Sequence, residues 1–155
     1  MTSRFRDGAY RGYEVQLRLY RTHSAEPVSL ESPRSVYEFM AELGTYSAEH
    51  MYELLFDRKH RVHGVYLVGK GGPDHCLAEP GEILRPALLT NSPAIVLVHN
   101  HPSGLPTPSP EDLSMTARIA TAANLFDIQL LDSIIIGDGR YHSMSEAGLM
   151  TRGGA

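Results

Sequence analysis

The sequence predicts an α/β domain, in the wider sense that includes α+β folds, in which a mixed β-sheet is flanked by helices. Stretches with helical periodicity alternate along the chain with short apolar runs that have strand character. One run, residues 94–98, is apolar on both faces, as expected for a central strand that is covered on each side. The chain of 155 residues suits one hydrophobic core, so we expect a single domain over residues 1–155.

The N-terminal part predicts an extension followed by a helix. Residues 1–32 are expected to form a strand and a loop, because apolar and polar side chains alternate over residues 13–20. A helix is predicted over residues 33–43. Ser32 is a suitable N-cap and Pro33 suits the first helical position, so the sequence defines where this helix starts.

The middle of the chain predicts a hairpin and then a second helix. Two apolar runs, residues 51–56 and 62–68, are separated by a polar turn, which is typical of a β-hairpin. A short strand is expected near residues 75–78. A helix follows from Pro80, and it either starts late or kinks, because Pro86 inside it removes a helical hydrogen bond.

The C-terminal part predicts a third helix and two more strands. The helix covers residues 110–124, and Leu113, Ala117 and Ala120 fall in helical register on the side expected to approach the sheet. The remaining predicted elements are strands over residues 130–136 and 140–143 and a closing turn over residues 145–149.

Composition and charge narrow the functional classes. No apolar stretch is long enough to cross a bilayer, so a membrane-spanning role is excluded. The first residues lack the apolar run of a secretory signal and Cys76 is the only cysteine, so we expect a cytoplasmic protein. The net charge of -4 disfavours non-specific binding to nucleic acids, although an arginine-rich arm before residue 22 favours it weakly.

Two histidines mark a candidate metal site. His99 and His101 are separated by one residue and stand where the apolar strand ends, so an extended backbone directs both imidazoles to the same side. Imidazole nitrogens suit zinc, and a catalytic zinc ion commonly has three protein ligands and an open position for water. A third ligand is therefore needed.

A loop stiffened by three prolines leads from these histidines to Ser109 and Asp112. Taken alone, these two residues are typical of a helix N-cap and an acidic first helical turn. The joint pattern is more specific: His-x-His, seven residues, then Ser-x-x-Asp, placed at a strand end and the following helix start. This pattern favours Asp112 as the third ligand.

The segment His-Asn-His-Pro-Ser-Gly at residues 99–104, followed by Ser109 and Asp112, resembles the JAMM motif of MPN-domain metalloproteins. The residues of this segment are similar to those of bacterial RadC proteins, and the similarity runs from about residue 33 to residue 149. The resemblance implies a mixed sheet flanked by helices, related to that of the cytidine deaminases. It also implies a Zn²⁺ site with His99, His101 and Asp112 as ligands.

The resemblance further implies catalytic residues. Glu49 matches the upstream glutamate of the motif, which acts as general base, and Glu53 is its rival inside the predicted strand. Ser109 is implied as a donor that stabilises an oxyanion. Asp132 either orients a ligand histidine or accepts backbone hydrogen bonds, and the sequence favours neither alternative.

The sequence departs from RadC proteins at Ser133 and Gly81, where histidine and arginine are common. These departures bear on substrate or partner contacts more than on the metal. RadC proteins also carry a helix-hairpin-helix module ahead of the catalytic domain. We do not expect residues 1–32 to supply it.

Three functions remain open at this point. The first is a zinc metallopeptidase or isopeptidase that uses a zinc-bound water and a peptide or protein substrate. The second is a DNA-repair-associated protein or nuclease, and the third is a scaffold without catalysis. A zinc deaminase is disfavoured because the Pro-Cys-x-x-Cys part of its signature is missing. No membrane partner is expected, and the oligomeric state is left open.

Overall fold

The computed structural model describes residues 28–71 and 79–150, and it has six strands and three helices in these ranges. The predicted strands near residues 13–20 and 75–78 lie outside the described residues. The strands are β1 (Val28–Ser29), β2 (His50–Phe56), β3 (Arg61–Lys70), β4 (Ala94–Asn100), β5 (Gln129–Gly137) and β6 (Arg140–Ser143). The helices are α1 (Pro33–Met40), α2 (Pro80–Thr90) and α3 (Pro110–Asn124), and a 3₁₀ turn covers Ala41–Thr45. Among these helices, none has the length and apolar character needed to cross a bilayer.

The six strands form one mixed sheet in the order β1-β3-β2-β4-β5-β6. The predicted hairpin is confirmed, since β2 and β3 pair antiparallel. Strands β4 and β5 pair parallel, and α3 connects them. A parallel pair needs such a crossover, which returns the chain to the same end of the sheet. The predicted class, a mixed sheet flanked by helices, is therefore confirmed.

Helices cover both faces of this sheet. All seven residues of β4 are buried, as predicted for a central strand. The apolar cluster on the face toward α2 and α3 includes Met51, Leu55, Ile83, Ile95, Leu97 and Ile119. The cluster on the opposite face, toward α1, includes Val36, Leu54, Phe56, Val96, Val98 and Ile134.

The first two helices start where the sequence predicts. Ser32 caps α1, and its hydroxyl accepts a hydrogen bond from the backbone N–H of Ser35 at 3.1 Å. The α-helix ends at Met40, earlier than predicted, and the chain continues as a 3₁₀ turn. Helix α2 begins at Pro80 and runs through Pro86, so the alternative of a late start is wrong.

Helix α3 has the predicted length, but its inward face differs from the prediction. The buried positions are Asp112, Thr116, Ile119 and Ala123, whereas Leu113 is 37% exposed. The predicted face, which began at Leu113, is thus rotated by about one residue. The physical reason is that Asp112 turns inward, and helical periodicity then brings the residues four, seven and eleven positions later to the same side.

One carboxyl group lies inside the apolar cluster. Glu53 is in the middle of β2, on the same face as Met51 and Leu55, and its side chain is 0% exposed. Within the described parts of the chain, neither of its carboxylate oxygens has a hydrogen-bond partner. Burial raises the pKa of Glu53 from 4.5 to about 8. The group is therefore protonated in the folded protein at neutral pH.

The raised pKa predicts a stability that falls with increasing pH. Between pH 4.5 and about 8, the folded protein holds a proton on Glu53 that the unfolded chain releases, so rising pH favours unfolding. Urea titrations at about pH 5.5 and about pH 8.5 should show a loss on the order of 3 kcal/mol for the wild type. The variant Glu53→Gln should lose much less. An equal loss in both proteins would contradict this assignment.

Candidate metal centre

The centre is built where β4 ends and α3 begins. His99 lies in β4, is completely buried, and is flanked by Met51 of β2 and Ile135 of β5. His101 follows the strand, and its backbone N–H donates to the carbonyl oxygen of Ile136 at 2.9 Å. Asp112 projects from the first turn of α3 toward both histidines. The chain thus returns a carboxylate to the strand end that carries the imidazoles.

The three side chains meet through their donor atoms. The Nε2 atoms of His99 and His101 are 3.2 Å apart. Asp112 Oδ1 lies 3.1 Å from His99 Nε2, and Asp112 Oδ2 lies 3.3 Å from His101 Nε2. The expectation that both imidazoles face the same side is confirmed, and the three predicted ligands are brought together.

This triangle of donors fits a tetrahedral metal ion. Zinc bonds of roughly 2.0 to 2.1 Å to nitrogen and oxygen place the ligand atoms about 3.3 to 3.4 Å apart. The separations of 3.1 to 3.3 Å are close to that value, and Asp112 faces His99 with Oδ1 and His101 with Oδ2. Two imidazoles and one carboxylate are also a donor set that zinc accepts. With one carboxylate oxygen of Asp112 as the ligand, the residues present therefore fit a zinc ion with one coordination position left over.

Electrostatics keep the third donor ionised. Burial alone raises the pKa of Asp112, but hydrogen bonds with His101, His99 and Ser109 outweigh it and hold the pKa well below its usual range. The same hydrogen bond with Asp112 raises the pKa of His101, and burial opposes it. Asp112 is therefore a carboxylate at neutral pH, which is the form that binds a metal.

A backbone carbonyl orients one of the two rings. Nδ1 of His101 lies 2.9 Å from the carbonyl oxygen of Leu105, which can only accept a hydrogen bond. The neutral ring then carries its proton on Nδ1 and presents a lone pair on Nε2 to the centre. His99 differs, because its Nδ1 is buried and finds no hydrogen-bond partner among residues 28–71 and 79–150.

Ser109 both caps α3 and holds Asp112. Its hydroxyl accepts from the backbone N–H of Asp112 at 3.1 Å and donates to Asp112 Oδ2 at 2.7 Å. The backbone N–H of Ser109 donates to the same oxygen, also at 2.7 Å. One arrangement therefore both caps the helix and holds Asp112 toward the histidines, so the two interpretations of the sequence are compatible.

The loop after His101 is fixed against β5. Gly104 donates its N–H to the carbonyl oxygen of His101 at 2.9 Å and accepts from the N–H of Asp138 at 2.9 Å. A Cβ atom on Gly137 would clash with the carbonyl oxygen of Gly104 and would lie 2.8 Å from Cδ of Pro106. The absence of a side chain at Gly137 therefore lets this loop pack closely and bring Leu105 to His101.

Glu49 lies beside this centre and Glu53 does not. Glu49 immediately precedes β2 and is half-buried. It lines a cavity of about 420 Å³ together with Ser47, Ala48, Gly71, His101, Pro102 and Ser103. Its negative charge contributes to the raised pKa of His101. Glu53 is enclosed in the core instead, so the geometry favours Glu49 over its rival.

The chain is similar to known proteins over most of its length. The RadC-like JAB domain model matches residues 30–149. The chain belongs to this family. It is 40% identical over 137 residues to a UPF0758 protein of Chloroflexus aggregans, which covers 88% of this chain and 60% of the relative. It is 37% identical over 137 residues to a UPF0758 protein of Roseiflexus castenholzii, covering 88% of this chain and 59% of the relative. The chain spans about three fifths of the length of these curated relatives.

Asp132 of this JAB domain serves backbone and hydroxyl groups. It is opposite Val96 in the parallel pair, on the face away from His99. Its Oδ1 accepts from the backbone N–H groups of Ser133 and Ser145 at 2.8 and 2.9 Å, and its Oδ2 accepts from Ser143 Oγ at 2.5 Å. The alternative in which Asp132 orients a ligand histidine is therefore wrong. Its carboxylate anchors the turn after β6.

The two departures from RadC proteins have different surroundings. Ser133 is completely buried in β5, so it does not contact a substrate or partner at the surface. Gly81 is exposed in the first turn of α2, and a Cβ atom there would meet nothing within 4 Å. Of these two positions, only position 81 is therefore exposed enough to contact a partner.

Sequence reasoning missed one residue of the centre. Asn100 stands between the two histidines, is completely buried, and hydrogen-bonds to the segment that carries Glu49. The available signal was a polar amide at the end of an otherwise apolar buried strand. Such a group requires buried partners, which are far away in the sequence.

Loss of any one ligand should abolish metal binding. We expect His101→Ala and Asp112→Asn to reduce zinc, measured by elemental analysis after gel filtration, from about one ion per chain to nearly none. His63→Ala is the matched control, because His63 is exposed and hydrogen-bonds to Ser92 outside the centre. Zinc retained by both ligand variants would contradict the site.

Close packing at Gly137 should also support the metal. Gly137→Ala forces the loop away from β5, so we expect zinc affinity to fall about 10- to 100-fold, as for loss of a group that orients a ligand. Gly81→Ala is the control, since the added methyl group there is unopposed. Zinc titration with a competing chelator measures both variants. Equal affinity in the two would mean that the loop does not orient His101.

Proposed function

We propose that this RadC-like JAB domain is a zinc-dependent hydrolase that cleaves a peptide or isopeptide bond in a peptide or protein substrate. The observation that carries the proposal is the triangle of metal donors beside a cavity that Glu49 also lines. Three protein donors leave a position for water, which is typical of catalytic zinc. A carboxylate at the same cavity suits general acid and base work.

His99, His101 and Asp112 would hold the zinc ion, which when bound supplies the Lewis acidity that lowers the pKa of water toward neutrality. Glu49 accepts the proton that the attacking water loses. The water oxygen forms a bond to the acyl carbon and the carbon–nitrogen bond breaks. Glu49 then passes its proton to the departing amine, so that water is added across the bond.

Ser109 enters this proposal as a hydroxyl donor to the acyl oxygen, where negative charge develops. The support is positional, since Ser109 Oγ lies 2.7 Å from Asp112 Oδ2 at the edge of the donor triangle. Its hydroxyl hydrogen now points to Asp112. The role requires that hydrogen to turn toward the substrate.

Two other functions compete with this proposal. A DNA-repair-associated protein or nuclease is disfavoured by the net charge of -4, because nucleic-acid binding relies on Lys and Arg. A scaffold without catalysis is disfavoured by the complete donor set, which has no purely structural need to be complete. The cytoplasmic setting belongs to the same proposal, and its support is the single cysteine, Cys76.

Replacing Glu49 tests the reaction itself. Glu49→Gln keeps the size of the side chain but cannot accept a proton, so kcat on a peptide or isopeptide substrate should fall about 10²- to 10⁴-fold. Zinc content should stay unchanged, since Glu49 is not one of the three donors. Glu82→Gln is the control, because Glu82 is exposed on α2.

The screen should offer peptides, isopeptide-linked peptides, and single-stranded and duplex DNA to the zinc-loaded full chain. Cleavage of peptide or isopeptide bonds that depends on Glu49 supports the proposal. Cleavage of DNA alone would overturn it in favour of a nuclease. Full peptide cleavage by Glu49→Gln would remove Glu49 from the reaction.

A further inference from the structure

Asn100 uses its whole side-chain amide on one distant segment. Its Nδ2 donates to the carbonyl oxygens of Tyr46 and Ala48 at 3.2 and 3.1 Å. Its Oδ1 accepts from the backbone N–H of His50 at 2.8 Å. Both N–H donors and the carbonyl oxygen of the amide are therefore engaged. The side chain is completely buried, so water does not compete for these bonds.

These hydrogen bonds lie on both sides of Glu49. The carbonyl oxygen of Ala48, directly before it, and the N–H of His50, directly after it, are both bound by Asn100. The carbonyl oxygen of Glu49 itself accepts from the N–H of Gly71 at 2.9 Å. The backbone around Glu49 is thus fixed at three consecutive residues, and Glu49 lines the cavity together with His101.

Strand alternation explains how one residue can serve this purpose. His99 and Asn100 are neighbours in β4, so their side chains point to opposite faces of the sheet. His99 points toward α3 and Asp112, and Asn100 points toward the segment before β2. The backbone that places the two imidazoles therefore also places Glu49, through a single rigid amide.

We propose that Asn100 is a positioning residue that holds Glu49 at a fixed place relative to the metal centre. This inference rests on the proposed function, in which Glu49 moves the proton. Because Asn100 lies between His99 and His101, the ligands and the base form one unit, and a small displacement of Glu49 is enough to lower the rate.

The test uses the zinc-loaded full chain with Asn100→Ser and Asn100→Asp. Serine removes most of the hydrogen bonds that the side-chain amide of Asn100 makes. Aspartate keeps the shape and the acceptor for His50, but sets an oxygen against two carbonyl oxygens, so it serves if the serine variant does not fold. Asn124→Ser is the control, because Asn124 is exposed at the end of α3. We expect kcat to fall about 10- to 10³-fold with zinc content and KM nearly unchanged.

A double-mutant cycle with Glu49→Gln separates positioning from general structure. If Asn100 acts through Glu49, Asn100→Ser should have little further effect on kcat in the Glu49→Gln background. An undiminished effect there would overturn the proposal, since Asn100 would then act through the ligands.

Two readouts do not need catalysis, so they stand even if no substrate is cleaved and the proposed function fails. The amide hydrogen of His50 should exchange faster with solvent in Asn100→Ser than in the wild type and the Asn124→Ser control. In the cobalt-loaded protein, the visible spectrum of Asn100→Ser should shift in the direction of Glu49→Gln, and the double variant should match Glu49→Gln alone. Unchanged His50 exchange, or a cobalt spectrum that differs equally in both backgrounds, would overturn the inference.

Discussion

The contact between Asp112 and the two imidazoles is the constraint on which the rest of this structure depends. It joins the start of α3 to the end of β4, two consecutive elements of the crossover from β4 through α3 to β5. Because Asp112 must face inward, it sets the rotation of α3 about its axis. Thr116, Ile119 and Ala123 are buried as a consequence, and Leu113 is left partly exposed.

This polar contact is tolerated in a buried place because its groups satisfy one another. Asp112 Oδ2 accepts two hydrogen bonds from Ser109 and faces His101, while Oδ1 faces His99. Buried charge is costly unless it is paired in this way. The same pairing raises the pKa of His101, so protons compete with a metal ion for its Nε2 atom. Binding of a metal ion by these residues would therefore depend on pH.

The parts of the site that the sequence predicted are those whose chemistry is local. His99, His101, Ser109 and Asp112 fall within one strand, loop and helix start, so their spacing, together with the resemblance to RadC proteins, was enough to predict the site. Contacts across long sequence separations have no local signal, and Glu49 was predicted from the resemblance to RadC proteins alone. The bond from Asn100 to His50 spans 50 residues, and no local pattern reports it.

The remaining open alternatives, and the one wrong helix face, depended on which side of the sheet a residue faces, and that is set by tertiary register. Asp132 lies on the face away from His99 because of how β4 pairs with β5. This pairing joins distant segments, so no local sequence pattern indicates it. The face of α3 was assigned from apolar residues alone, whereas an acidic ligand decided it. Glu53 reads as a surface carboxylate by type, but its position between Met51 and Leu55 in a doubly covered strand buries it.

The location of the site follows from the alternation of β4. Within the sheet, the backbone separates the two faces, so a side chain on one face cannot contact a group on the other. At the end of the strand this separation ends: His99 points to one face, Asn100 to the other, and His101 continues beyond the sheet. Only at this end of β4 can the ligands on the α3 side lie close to Glu49, whose backbone is held by Asn100 from the opposite face. A centre that needs both sets of groups therefore has to lie where the strands end. The loop that packs closely against Gly137 covers this end of the sheet.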